Sequence, residues 1–156
     1  MTPPSRDRLL GKLIGSTAVG LTAILALTGI ALAASPVKGA KYSGRVKVSA
    51  TLTVSFKVSG SGKKITSLKV SPSLPNTCGY GGPLPTDTSK PAKIKDGKFT
   101  AKITEKASSG TVIGTAKVTG KFLAKGKEKG TITTSLPNAK SCNGSFTYST
   151  KATKSH

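Results

Sequence analysis

From Tyr42 onward the chain alternates. Tyr42, Gly44, Val46, Val48, Ala50, Leu52, Val54, Phe56 and Val58 take the even positions, with Ser, Thr, Lys and Arg between them. Successive side chains of a strand point to opposite faces, so a period of two marks strands buried on one face only. The run is longer than a strand of about 3–10 residues, so a break is expected around Ser49-Ala50. Gly60-Ser61-Gly62-Lys63 then turns the chain into Ile65–Val70. There the apolar phase slips, which predicts a bulge at Thr66-Ser67. Ser71 to Pro91 holds five of the nine prolines together with Cys78 and reads as an irregular connection.

The pattern resumes with Ile94-Lys95-Asp96-Gly97-Lys98-Phe99, a hairpin signal, because Asp-Gly supplies the positive φ of a tight turn. Phe99, Ala101 and Ile103 alternate with polar residues, as do Val112, Gly114, Ala116, Val118, Gly120, Phe122 and Ala124. A turn at Lys125–Gly130 leads into Thr131–Leu136, and a last strand runs through Phe146, Tyr148 and Ala152. No segment after residue 34 carries a 3.6-residue period. Seven to nine one-sided strands must cover one another's apolar faces, as two packed sheets or a small closed barrel. The expected fold is all-β, a two-sheet antiparallel β-sandwich of immunoglobulin-like or jelly-roll-like arrangement, preceded by an N-terminal signal helix.

The N-terminus changes the picture. Arg6, Arg8 and Lys12 form a basic head, residues 13–34 carry no charge, and Ala31-Leu32-Ala33 precedes Ala34. A basic head, an apolar middle and small residues at an A-x-A end make residues 1–34 a signal peptide cut at Ala33 or Ala34. The rival reading is an uncleaved anchor, in which residues 13–34 are the only part to meet a membrane. Residues 35–156 then form a single secreted domain. With no arginine pair in the leader and no cysteine after it, the general secretion route is expected and a lipoprotein anchor is not.

The chain of 156 residues carries 25 Lys+Arg against 5 Asp+Glu, a net charge of +20. Removing Arg6, Arg8, Lys12 and Asp7 with the leader leaves 22 basic and 4 acidic residues, a net +18. The only histidine is His156, and the carboxylates are scattered. No nucleophile–base pair, metal-ligand set or cofactor motif is visible, so an enzyme is not expected. Cys78 and Cys142 are the only cysteines, and an even count in an exported chain reads as a disulfide.

Several segments, taken in order, carry a resemblance. They are Tyr42-Ser43-Gly44, Val54–Ser59, Gly62–Leu68, Ile94–Phe99, Gly120-Lys121-Phe122, Gly130-Thr131-Ile132 and Cys142–Phe146. As a set they resemble small secreted β-sandwich proteins of actinobacteria. That resemblance implies export and a sandwich architecture, and it implies no catalytic residues.

Two roles follow as expectations. The first is a monomeric, non-enzymatic extracellular structural or interaction domain. The second is a cationic cell-envelope module that binds polyanions: teichoic acid, anionic lipid headgroups or extracellular DNA, without specific nucleic-acid recognition. Candidate contacts are Lys47, Lys57, Lys98, Lys102 and Lys121 on the polar phase of the alternation, and Tyr80 in the glycine-rich loop beside Cys78. Lysine also has a plainer use, because charged side chains guard sheet edges against strand-to-strand aggregation.

Overall fold

The computed structural model describes residues 34–49, 51–78, 86–87 and 90–153. The strands are β1 (Lys41–Val46), β2 (Thr53–Val58), β3 (Lys64–Ser71), β4 (Thr86–Asp87), β5 (Ala92–Lys95), β6 (Lys98–Lys106), β7 (Val112–Leu123), β8 (Lys127–Ser135) and β9 (Gly144–Thr153). Eight of them close a ring, each antiparallel to the next: β1, β2, β3, β5, β6, β7, β8, β9 and back to β1. The two-residue β4 pairs with the far end of β6.

This closed barrel replaces the expected two-sheet sandwich. Both architectures bury one face of every strand, so the alternation is the same for each. The decisive feature is the pairing of β6 with β7 over almost their whole length, from Lys98↔Lys121 to Lys106↔Val112. That ladder joins what would have been two sheets. Eight strands leave an interior just wide enough for side chains to fill. Tyr42, Phe56, Phe99 and Phe122 fill one end of it, with Tyr42 stacked on Phe56 at 5.0 Å and Phe122 edge-on to Tyr42 at 5.3 Å. Val46, Val54, Leu68, Val70, Ile103, Val118, Ile132 and Tyr148 continue the core.

Among the inner glycines, Gly120 and Gly130 are direct cross-strand partners. A Cβ at Gly120 would strike the Phe99 ring and Glu128 Oε1, and one at Gly130 would strike the Tyr148 ring and hydroxyl. The pair therefore opens the space into which those larger side chains lean.

Local expectations hold in detail. β1 and β2 are separate strands with the break between them. The β2–β3 register shifts by one residue, and Ser67 takes a φ of 53°. Asp96 and Gly97, at φ 50° and 64°, form the two-residue turn that pairs Lys95 with Lys98. The expected turn at Lys125–Gly130 is shorter, because β8 already begins at Lys127.

The N-terminal signal helix and residues Ala31 and Ala33 lie outside the described residues. Ala34 is the first described residue, and its N–H donates to the Phe122 carbonyl at 3.0 Å. Among the described residues no helix is long and apolar enough to cross a membrane. The barrel wall itself is apolar inside and lined by Lys, Ser and Thr outside. A membrane-spanning barrel has the reverse arrangement.

Candidate functional site

Pairing registers convert the scattered lysines of the sequence into rows. Lys95 faces Lys98, Lys98 faces Lys121, and Lys121 faces Lys129, one residue from each of β5, β6, β7 and β8. The row runs on through Ser149 of β9 to Arg45 of β1. A second pair, Lys102↔Lys117, lies four residues up the same two strands. Further pairs are Lys127↔Lys151, Lys41↔Lys57 and Lys64↔Lys93. Neighbouring strands are about 4.8 Å apart, and four residues along a strand cover roughly 13 Å. Lys95, Lys98, Lys102, Lys117, Lys121 and Lys129 thus occupy one face spanning four strands. A shallow depression of about 480 Å³ lies on this face, lined by Lys102 and Lys117 with Thr100, Thr115, Thr133 and Ser135.

The candidate contacts divide. Lys98, Lys102 and Lys121 come together on this face. Lys57 sits on β2 opposite Lys41, away from it. Lys47 lies in the turn after β1, its backbone N–H donating to the Thr147 carbonyl at 2.9 Å. Tyr80 lies outside the described residues. The sequence pattern did not single out Lys95, Lys117 and Lys129. The signal that could have found them is turn geometry, because the Asp96-Gly97 turn fixes Lys95 opposite Lys98.

The acidic residues are placed against this wall in an unexpected way. Glu128 is 0 % exposed and Glu105 4 %, and both point into the barrel. Asp96 remains as an exposed carboxylate at the β5–β6 turn. Thr150 Oγ1 donates to Glu128 Oε2 at 2.6 Å, whereas Glu128 Oε1 has no hydrogen-bond partner. Burial raises the Glu128 carboxyl to about 7, against the downward pull of the Thr150 and Tyr148 hydroxyls. A protonated carboxyl brings a donor to an oxygen that otherwise accepts nothing. Tyr148, whose hydroxyl donates to the Thr119 carbonyl at 3.3 Å, is raised far above the ordinary range by burial and then by the Glu128 charge. Tyr42 is raised by burial, offset by the Val37 N–H that donates to its hydroxyl at 3.0 Å. Burial also raises Glu105, opposed by the Leu74 N–H at 3.5 Å.

The opposite end of the barrel from the Asp96-Gly97 turn is stapled. Cys78 and Cys142 form a disulfide with Cα atoms 5.1 Å apart, joining the segment after β3 to the loop before β9 across 64 positions. Thr77 reinforces the staple, its N–H donating to the Cys142 carbonyl at 3.0 Å. Asn143, the first residue of an Asn-X-Ser sequence, uses its Oδ1 to accept the Leu136 N–H at 2.7 Å, which makes it a loop-ordering residue. Beside the staple an open cleft of about 530 Å³ is lined by Val48, Leu52, Pro72, Leu74, Pro75 and Phe146 with Ser, Thr and Asn. None of the residues lining it is charged, so it is not part of the basic face. Among the described residues no cluster of His, Cys, Asp and Glu could hold a metal ion.

The fold and site define a small, disulfide-stapled, eight-stranded barrel with a basic wall. No protein-family model, curated protein or solved structure matches the chain.

Proposed function

We propose that the protein is an exported, non-enzymatic barrel that binds extracytoplasmic polyanions through its basic wall. The observation that carries this reading is the register that sets lysine directly opposite lysine on β5, β6, β7 and β8. Like charges directly opposite one another destabilise a sheet. Guarding edges is the ordinary reason to accept such a cost, and β6, β7 and β8 are paired on both sides. A closed barrel has no edges there to guard. An anionic polymer laid over the rows turns the repulsion into attraction.

Further support comes from the burial of Glu105 and Glu128, which leaves the outer surface more cationic than the composition indicates. The hydroxyls around Lys102 and Lys117 add hydrogen-bond donors for phosphate or sulfate oxygens. The leader pattern of residues 1–34 and the disulfide, which is compatible with an extracellular protein, support an encounter outside the cytoplasm. Teichoic acid, anionic lipid headgroups and extracellular DNA are the polymers or surfaces with the right charge. Lysine is a point charge and lacks the bidentate fork of arginine, so recognition is by charge density more than by headgroup geometry.

The test replaces Lys95, Lys98, Lys121 and Lys129 by Thr together. Each lysine near an anionic surface contributes on the order of 1 kcal/mol. The quadruple variant should therefore bind a phosphate polymer about a thousandfold more weakly at low salt, with its thermal unfolding unchanged or improved. Equal binding by the variant and the native protein would end the proposal.

A further inference from the structure

We infer that the ligand is a flexible linear polyanion that crosses the strands along the row Lys95–Lys98–Lys121–Lys129, instead of a rigid rod lying along them. The inference rests on the polyanion reading above and goes beyond it by fixing the ligand's stiffness and path. Two directions are open on this face. Across the strands, one cation follows another at every strand, about 4.8 Å apart. Along β6 and β7, Lys98 to Lys102 and Lys121 to Lys117 leave gaps of roughly 13 Å filled by neutral residues such as Thr100 and Thr119. A polymer charged at every repeat, a polyphosphate or polyphosphodiester, meets a cation at each step only on the transverse path.

Curvature decides the ligand's stiffness. The row covers three of the eight strand-to-strand steps of a closed ring, so it bends over more than a third of the barrel's circumference. A straight duplex laid on so convex a surface touches one or two of the four lysines. DNA bends smoothly only over a persistence length of about 50 nm, far larger than this barrel. A chain free to turn at every repeat reaches all four, and Arg45 beyond Ser149 extends the track onto β1.

The face allows a charge-matched experiment. Lys95 and Lys129 belong only to the transverse row, and Lys102 and Lys117 only to the longitudinal pairs. Two double variants, Lys95→Thr/Lys129→Thr and Lys102→Thr/Lys117→Thr, remove the same charge from the same face of the full-length protein. Binding of long-chain inorganic polyphosphate is measured by titration between about 50 and 200 mM salt. Four contacts to a flexible polyanion give a log–log salt slope near −3, at about −0.7 per contact. The row variant should halve that slope and lose at least tenfold in affinity at 50 mM salt, and the longitudinal variant should keep both within about twofold.

A short DNA duplex of equal total charge, the rigid probe, should bind the native protein at least tenfold more weakly than polyphosphate. Equal losses in the two variants would reduce the row to bulk charge and overturn the inference. A larger loss in the Lys102/Lys117 variant would also overturn it, by moving the path into the depression, and so would tight duplex binding. If the native protein binds neither probe at 50 mM salt, the polyanion reading itself falls, a result distinct from all three.

Discussion

The inner and outer surfaces of the barrel wall are built from the same strands and carry opposite charge. On β8 the sequence Lys127-Glu128-Lys129 puts two lysines outside and the glutamate between them fully inside. On β6, Glu105 is buried while Lys106 beside it in sequence is exposed. Residues adjacent in the chain are kept on opposite sides of the wall by the strand period, so the acids cannot neutralise the lysines next to them. The outside is left cationic. The inside holds two carboxyl groups with no cation among the buried residues. Charge separation across one wall is thus a result of period-2 geometry applied to a mixed-charge sequence.

The harshest way to break this arrangement is to move one lysine through the wall. Exchanging Lys117 and Val118 keeps composition and net charge and changes only which of the two faces inward. Val118 is 0 % exposed, and an ammonium in its place loses its hydration inside an apolar core. The exchanged protein should lose more than about 4 kcal/mol, which is most of a small domain's stability. Urea unfolding followed by circular dichroism reads this directly. A native-like transition midpoint would show that the inner surface tolerates charge.

A smaller effect tests the inner carboxyl groups. The unfolded chain releases the Glu128 proton near the ordinary value of 4.5, and the folded protein holds it to about 7. Between those values the folded state binds more protons, so stability falls as pH rises from about 4.5 to about 7 and stays lower above that. The shift corresponds to about 3 kcal/mol. Glu128→Gln should remove this slope, leaving the variant close to the native protein at pH 4 and more stable at pH 8 by up to about 3 kcal/mol, less whatever the amide leaves unpaired. Glu105→Gln should act in the same direction and by less, because Glu105 is the less deeply buried of the two and its Oε1 receives the Leu74 N–H. Parallel denaturation curves at the two pH values test both. A native protein that gains stability across this window would reverse the sign and refute the account of Glu128.

The pattern of apolar positions was enough to read the strands, the break between β1 and β2, the bulge at Thr66-Ser67, the Asp96-Gly97 turn and the cysteine pair. It could not tell a barrel from a sandwich, because each strand hides one face either way. Closure depends on which strands pair, and the alternation carries no sign that Lys98–Lys106 lies along Val112–Lys121. Glu128 was illegible for a different reason. Flanked by lysines and two residues past a Lys-Gly turn, it has the composition of a solvated loop, and only the register brings it beneath Gly120 and beside Thr150. The basic face was half legible. Lys98, Lys102 and Lys121 stand on the polar phase, but the row exists only once two turns have set the partners of Lys95 and Lys129. One of these is the Asp96-Gly97 turn. The other is the loop at Ala124-Lys125-Gly126, which pairs Leu123 with Lys127 and so Lys121 with Lys129.

The smallest expected effect separates what the outer surface costs from what it does. Lys102 and Lys117 are direct partners with like charge. Lys102→Glu replaces that repulsion with an exposed ion pair, worth about 0.5 kcal/mol at 10 mM salt and close to nothing at 1 M, where screening acts within roughly 3 Å. The substitution should therefore raise stability slightly at low salt and leave it unchanged at high salt. Because it removes two units of positive charge from the basic wall, it should also weaken binding to a phosphate polymer slightly, within about twofold, since Lys102 lies off the Lys95–Lys98–Lys121–Lys129 row. A variant that is both more stable and a poorer binder is the expected mark of lysines kept for a partner. If Lys102→Glu destabilised the barrel at low salt, the lysine pair would be supporting the fold, and the case that these rows face a ligand would lose its energetic basis.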